Sequence, residues 1–501
     1  MGMTSHSHHI WNSVLLHELA RRGHNLTILS VDLPRDDDPV PANVSYIYLE
    51  RAYDMYNDVE DKMTIEYIVN ANSFQNIART YEYGLRTAKL IAASQGMQQL
   101  LDYPADFHFD LIINDYTLGP YMLGFAHRFR YPPIVGISAY QNPHTTLDFM
   151  SNTYSPALTP YQWTAYSENM NFLQRLHNTL IFAADVFYRR TFYNPALDEI
   201  MRPHFGAEMP PLTKLAKLTV IALVNSHPSI DYVESLPSHI IQVGGMHIGE
   251  SKPLPRHLDD FMRSAKNGAV LISMGTNVQA SDVAVKSLHV IVEAIRQLPN
   301  YNFLWKFDAN YLKNLDINLP NNVLVSSFLP QRDVLAHKSL RAFVTHCGAL
   351  STQEATWHAV PIVGIPLFLD QYRNLRQSMD AGVALKVDYA SINTKDLVNA
   401  IKDAAESEDI AAAMRKRSIR FRDNPLPSLE LAVWWVEYLL RQPNPEHLHS
   451  PAKDMNIFQI HSLDVLAALL LVVVLIYYKL RQVGNKRTKH HYRKSQSKKR
   501  R

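Results

Sequence analysis

Short continuous apolar runs alternate along this chain with segments in which apolar residues recur every third or fourth position. The runs have the length of buried strands and the periodic segments that of amphipathic helices. In the first half, residues 10–22 predict a helix with Trp11, Val14, Leu15 and Leu19 on one side, ended by Gly23. Strands are predicted at 26–29 and 44–49, helical segments over 64–101, and a buried strand at 110–114 that runs into Asp115. The stretch 172–188 is apolar but broken by Arg175, His177 and Asp185, so it does not span a bilayer; it reads first as a core helix and second as a helix lying against a membrane surface.

The second half alternates more strongly. Strand 269–273, helix 282–297, strands 302–306 and 322–326 and helix 331–337 lead into a compact unit from Arg341 to Leu375. That unit reads as strand 343–345, a turn at Gly348-Ala349, a helix capped by Ser351 and running through His358, then strand 362–365 after Pro361. Pro366 opens a loop carrying Asp370-Gln371. Strands alternating with helices predict a parallel α/β sheet. A helix starting on a small-residue turn after a strand aims backbone N–H groups at an anion, most often a phosphate. A last helix, 428–440, carries Trp434 and Trp435 and is expected to cross back onto the first half.

Residues 457–478 make a transmembrane helix, uninterrupted in its apolar character from Val465 to Tyr478. The formal net charge of +3 is concentrated behind it, because 479–501 holds many Lys and Arg and no acidic residue. The remainder is slightly acidic, which excludes a nucleic-acid partner and gives the tail a topological meaning. Positive residues stay inside, so the tail is cytosolic and the bulk of the chain lumenal. Lys498-Lys499-Arg500-Arg501 fits a dilysine signal for retrieval to the endoplasmic reticulum. The single cysteine, Cys347, rules out an internal disulfide and reads as a small buried hydrophobe. The sequons are Asn25-Leu26-Thr27 and Asn43-Val44-Ser45; Asn43 is the expected glycan carrier and Asn25 is expected to lie too close to the sheet. No spacing of His, Cys or acidic residues suggests a metal, and no G-x-G-x-x-G follows a strand as a dehydrogenase would need.

The residues of the compact unit carry a resemblance. H-x-G-x-x-S-x-x-E from His346, then H-x-V-P from His358, then P-L-F-x-D-Q-x-x-N from Pro366, resemble the signature of the UDP-glycosyltransferases, most closely the insect members. The resemblance implies a GT-B fold: two Rossmann-like domains, 1–236 and 256–445, joined by a linker over 237–255 and facing a cleft, with one C-terminal transmembrane helix. It implies an inverting transfer of glucose, or of glucuronate, from a UDP-sugar to a hydroxyl of a small lipophilic acceptor. It implies no cofactor, and leaves self-association open. The family has a signal peptide and a first strand ahead of its Ser-His element. Here Met1 to Trp11 provides neither, so both are expected to be missing.

Carried over position by position, Ser7-His8 matches the catalytic base and Asp115 its acidic partner. Taken alone, His8 could equally belong to a chance metal cluster with His6 and His9, or to a frayed terminus. On the donor side the resemblance gives Thr276 and His346 to the diphosphate, with the Gly348 backbone and the helix starting near Ser351. Trp305 and Gln331 go to the uracil wall, Glu354 to the ribose hydroxyls, and Asp370 and Gln371 to the sugar. Cys347 and Ala359 stand where the family has glycine, and Leu350 where the glucuronosyl members have a polar residue, which favours glucose as donor sugar. The rival reading is a catalytically silent, membrane-anchored homologue that binds nucleotide sugar or a partner.

Overall fold

The computed structural model describes residues 2–498 apart from 35–39, 57–64, 70, 152–153 and 443. The chain divides into two units, Met1–His449 and Ser450–Arg501. Helix α1 (His6–Arg21) opens the first unit, followed by the parallel pair β1 (Leu26–Ser30) and β2 (Val44–Tyr48). Helix α2 (Ser73–Ala92) leads to a second, four-stranded parallel sheet of β3 (Ile112–Asp115), β4 (Ile134–Ser138), β5 (Thr219–Val224) and β6 (Ile240–Gln242). The excursion between β4 and β5 contains α3 (Phe172–Tyr188). Among the described residues no strand precedes α1.

The second half is a single six-stranded parallel sheet in the order β12-β11-β10-β7-β8-β9. Its strands are β7 (Ala269–Ser273), β8 (Asn302–Lys306), β9 (Val323–Ser326), β10 (Leu340–Thr345), β11 (Ile362–Gly364) and β12 (Ala384–Lys386), and its helices include α4 (Val285–Arg296), α5 (Ala349–Trp357) and α6 (Gln371–Asp380). β7, β8 and β10 are apolar on both faces because helices cover the sheet on each side. The strand order turns at β7, so β7 and β10 diverge at their C-terminal ends and leave the crevice in which α/β sheets bind ligands. Helix α7 (Ser428–Arg441) does cross back, packing Val433 and Val436 into one core with Trp11, Leu15 and Leu19 of α1. At the rim of that contact Arg22 donates to Glu430 at 2.6 Å.

Several expectations change. Helix α1 starts at His6 rather than Ile10, because the buried Thr4 and Ser5 seat its first turn and the terminus does not fray. Gly348, not Ser351, is the N-cap of α5; Ser351 lies inside the first turn. Helix α3 is no core helix: Phe172, Leu173, Leu176, Leu180 and Phe187 face outward, and only Asn178, Ile181 and Asp185 are buried. The surroundings of the two sequons are the reverse of those expected. Asn43 spends its Nδ2 on the Ala20 and His24 carbonyls (2.8 and 2.7 Å), whereas Asn25 is exposed.

The second unit has a short helix (Ile457–Ile460), a break at Ser462 with φ +54°, and a long helix α8 (Leu463–Lys498). Leu463–Lys486 of that helix is long and apolar enough to cross a membrane, so the span begins later than the 457 read from the sequence. Of the dilysine stretch, residues 499–501 lie outside the described residues.

Cys347 (φ +64°) and Ala359 (φ +59°) occupy left-handed backbone, the conformation that a glycine adopts without steric cost. The left-handed penalty exceeds glycine's entropic one at the half-buried Ala359, so Ala359→Gly is expected to stabilise the chain by about 0.5–1 kcal/mol in denaturant titration. Cys347→Gly should gain nothing, since it also removes a fully buried side chain whose Sγ packs over Gly364.

Candidate functional site

The candidate base sits at the start of α1, where the helix faces the end of β3. His8 is 4% exposed, with Nδ1 3.5 Å from Asp115 Oδ2. The carboxylate is held from two further sides: Asn12, one helical turn beyond His8, donates Nδ2 to Oδ2 at 3.0 Å, and the Thr117 backbone N–H donates to Oδ1 at 3.0 Å. Burial alone would raise the Asp115 pKa, but His8, Thr117 and Asn12 outweigh it and hold the group well below the usual carboxylate range. The His8 ring meets the edge of Tyr140, from the segment after β4, with centroids 4.8 Å apart. His6 and His9 point elsewhere, His6 to Asp32 at 2.7 Å and His9 to Ser30 at 3.2 Å. Among the described residues no group of three or more His, Cys, Asp or Glu could hold a metal ion.

Across the cleft the second half presents Asp370, the residue preceding α6. Burial lifts its pKa to about 6, against the lowering effects of the Asn374 hydrogen bond (2.6 Å) and of His8. His8 and Asp370, from opposite halves, therefore lie within electrostatic reach of one another. The neighbouring Gln371 is partly committed: its Oε1 accepts from the Leu367 and Phe368 N–H groups at 2.7 and 3.1 Å, leaving its amide N–H₂ to donate.

The turn after β10 is built around an imidazole. A Cβ on Gly275 or Gly348 would lie 2.6 or 2.5 Å from the His346 ring, so both positions must be glycine for the ring to fit between them. Burial, helped by Lys306, lowers the His346 pKa to about 4, so it meets a ligand as a neutral donor. Lys306, which the sequence reading passed over, ends β8 with Nζ 3.4 Å from the Gly275 carbonyl. The signal for it was available: a lysine closing a buried strand beside a predicted anion turn. Thr276 is half-buried at the turn following β7. No side chain caps α5, which leaves its first N–H groups facing the same space.

Gln331, Ser351 and Glu354 form one hydrogen-bonded set. Gln331 Nε2 donates to Glu354 Oε2 at 2.7 Å and to Ser351 Oγ at 3.0 Å. Burial raises the Glu354 pKa, partly opposed by Gln331. Trp305 does not join this group. It is 1% exposed, stacked on Phe307 within the core under α4, because its position in β8 points it to the helix-covered face. Phe328, 53% exposed, is the available aromatic surface near Gln331.

Asp370 gives a pH signature. A buried acid whose folded pKa is raised stabilises the fold fully below its unfolded pKa, near 4, and loses that contribution as pH rises through about 6. Asp370→Asn is therefore expected to gain about 2 kcal/mol of stability relative to the parent chain between pH 4.5 and pH 7, read by denaturant titration without ligand.

Comparison with known proteins bears on the family and the fold. The family model described as UDP-glucoronosyl and UDP-glucosyl transferase matches residues 3–501. UDP-glucosyltransferase 2 of Dactylopius coccus is 30% identical over 473 residues, covering 91% of this chain and 86% of that protein. UDP-glucuronosyltransferase 2B7 of Homo sapiens is 28% identical over 482 residues, covering 93% and 88%. Among solved structures, the glycosyltransferase VinC in complex with DTDP superposes with a TM-score of 0.57 at 16% identity, over 87% of this chain and 96% of that one. The glycotransferase of kitacinnamycin gives 0.55 at 20% identity, over 87% and 97%. At those identities the likeness is one of fold, and the fold is GT-B.

Proposed function

This chain belongs to the UDP-glucuronosyl and UDP-glucosyl transferase family, and from that membership we propose that it transfers a hexosyl group, preferably glucose, with inversion to a hydroxyl of a small lipophilic acceptor. The observation that carries this reading is the buried His8–Asp115 pair facing Asp370 across the cleft. His8 Nε2 takes the proton of the acceptor O–H while the acceptor oxygen bonds to the anomeric carbon. The bond from that carbon to the phosphate oxygen breaks, and UDP leaves with its electron pair. Asp115, held ionised by Asn12 and Thr117, stabilises the imidazolium that forms. Nδ1 and the carboxylate stand slightly apart at 3.5 Å, the looseness expected before substrate draws catalytic groups together.

The leaving diphosphate is met by His346, Thr276, the first N–H groups of α5 and the Lys306 ammonium, donors fixed in place before the charge develops. Glu354 takes the ribose hydroxyls, Gln331 the base or ribose, and Asp370 with the Gln371 amide takes the sugar. Leu350 beside this site favours glucose over glucuronate, which would want a polar or cationic partner. No metal or organic cofactor enters the scheme. The C-terminal span anchors the protein, and we place the cleft in the lumen of the endoplasmic reticulum with the basic tail in the cytosol.

Two measurements check the scheme. His8→Ala should lower kcat at least ~100-fold against a phenol panel with UDP-glucose while UDP affinity stays within twofold, the size expected for losing a general base. A chain that binds UDP but never turns over either sugar donor would instead be a silent homologue. Asn12→Leu should lower kcat about tenfold, since Asp115 loses one of its donors. It should also move the acidic limb of the pH–rate profile upward, because a less-bonded carboxylate holds the His8 proton more tightly.

A further inference from the structure

The segment that joins the two halves carries a buried histidine that the scheme above leaves idle. His247 follows Gly244-Gly245-Met246 after β6 and is 5% exposed. Neither ring nitrogen closes a hydrogen bond; the approaches are the Leu350 backbone and Glu354 Oε1, which lies 3.9 Å from Nε2. Burial lowers its pKa to about 3, so the ring is neutral, with one N–H to give and one nitrogen to accept.

Glu354 has the complementary need. Its Oε2 is supported by Gln331, its Oε1 looks toward His247, and burial pushes its pKa up. A carboxyl that drifts toward its protonated form is a poor receptor for a diol, which needs two accepting oxygens. The segment is also fastened to the helix that carries Glu354. The Gly245 N–H donates to Gln353 Oε1 of α5 at 3.0 Å, and Ser428 Oγ donates to the Gly244 carbonyl at 2.8 Å. A closing movement of about 1 Å would satisfy both idle groups at once.

We propose that His247 is a positioning residue for the nucleotide: its Nε2–H closes on Glu354 Oε1 as a ribose enters, fixing the carboxylate for the 2′- and 3′-hydroxyls and letting the segment between the halves respond to donor occupancy. The proposal rests on the reading of Glu354 as the ribose acceptor. It differs from a packing role in one respect, because its effect must be confined to ligands that carry the diol.

Calorimetric titration of the full-length chain with UDP and with 2′,3′-dideoxyuridine diphosphate tests it, in the parent protein and in His247→Leu, His247→Gln, His247→Asn and Glu354→Gln. The parent should prefer UDP by tenfold or more, the scale of a hydrogen bond to a charged group. His247→Leu should weaken UDP about tenfold and leave the dideoxy ligand within twofold. His247→Gln, whose amide N–H₂ falls near the Nε2 position, should recover most of the preference, and His247→Asn, whose amide falls near Nδ1, should not. The last pair decides the matter if the leucine variant does not fold. Equal weakening of both ligands in His247→Leu, or a preference as large as the parent's, overturns the proposal with the Glu354 reading intact. A parent chain indifferent to the diol, matched by Glu354→Gln, removes that reading and the proposal with it.

Discussion

The cleft depends on the amide of one residue, Asn374. Its Nδ2 donates to the Cys347 carbonyl at 2.9 Å and to Asp370 Oδ2 at 2.6 Å, while its Oδ1 accepts from Gln141 of the first half at 2.9 Å. One buried side chain therefore ties together the turn after β10, the Asp370 carboxyl and the first half. The same face carries a second tie, Arg373 to Glu234 at 2.8 Å, with Glu234 also accepting from Asn142. Buried polar contacts of this kind are directional and costly to leave half-made, so they set a separation between domains more sharply than apolar packing does.

Between the halves withdrawal from water is the largest single effect on several ionisable groups. Asp370 and Glu354 are pushed toward neutrality and His346 is stripped of charge, whereas Asp115, bonded by its neighbours, and Arg373, beside Glu234, keep theirs. The shifted acids and the imidazole so arranged carry less charge than they would in water before a ligand arrives, while Lys306 and Arg332 stand beside them as cations. In the proposed reaction a doubly charged leaving group would meet dipoles and N–H groups already oriented in a poorly screened space, where each counts for more than it would in water. The left-handed Cys347 belongs to the same picture, since it bends the chain sharply enough to bring the Gly348 N-cap under that space.

Much of this was legible in the sequence, unevenly. Strands β7, β8, β9 and β11 were found within a residue of their bounds, because sheets covered on both faces leave unbroken apolar runs, whereas β10 begins three residues earlier than read and the short edge strand β12 was not read at all. His8, Asp115, His346, Glu354 and Asp370 came from motif and register, and the fold brings them to one cleft. The failures have physical causes. Trp305 was assigned to a binding wall, but period-two alternation in a fully buried strand does not say which face looks at the ligand. Ser351 looks like a cap in sequence, yet Gly348 takes the cap and frees the hydroxyl for Gln331. The oxygen of Gln371 is taken by its own loop, and Asn43 is consumed by two carbonyls, contacts that depend on where a backbone bends. Asn12 and His247 were invisible because each matters only through a carboxylate distant in sequence.

The seat of His346 has a consequence for how such a chain can change. The imidazole occupies volume that a side chain at 275 or 348 would need, and those two glycines stand on different strand-end turns. No single replacement at either glycine is accommodated while the ring stays, and shrinking His346 alone would empty the space without restoring a donor. The three positions thus constrain one another: a side chain at 275 or 348 requires the His346 ring to leave its seat between them.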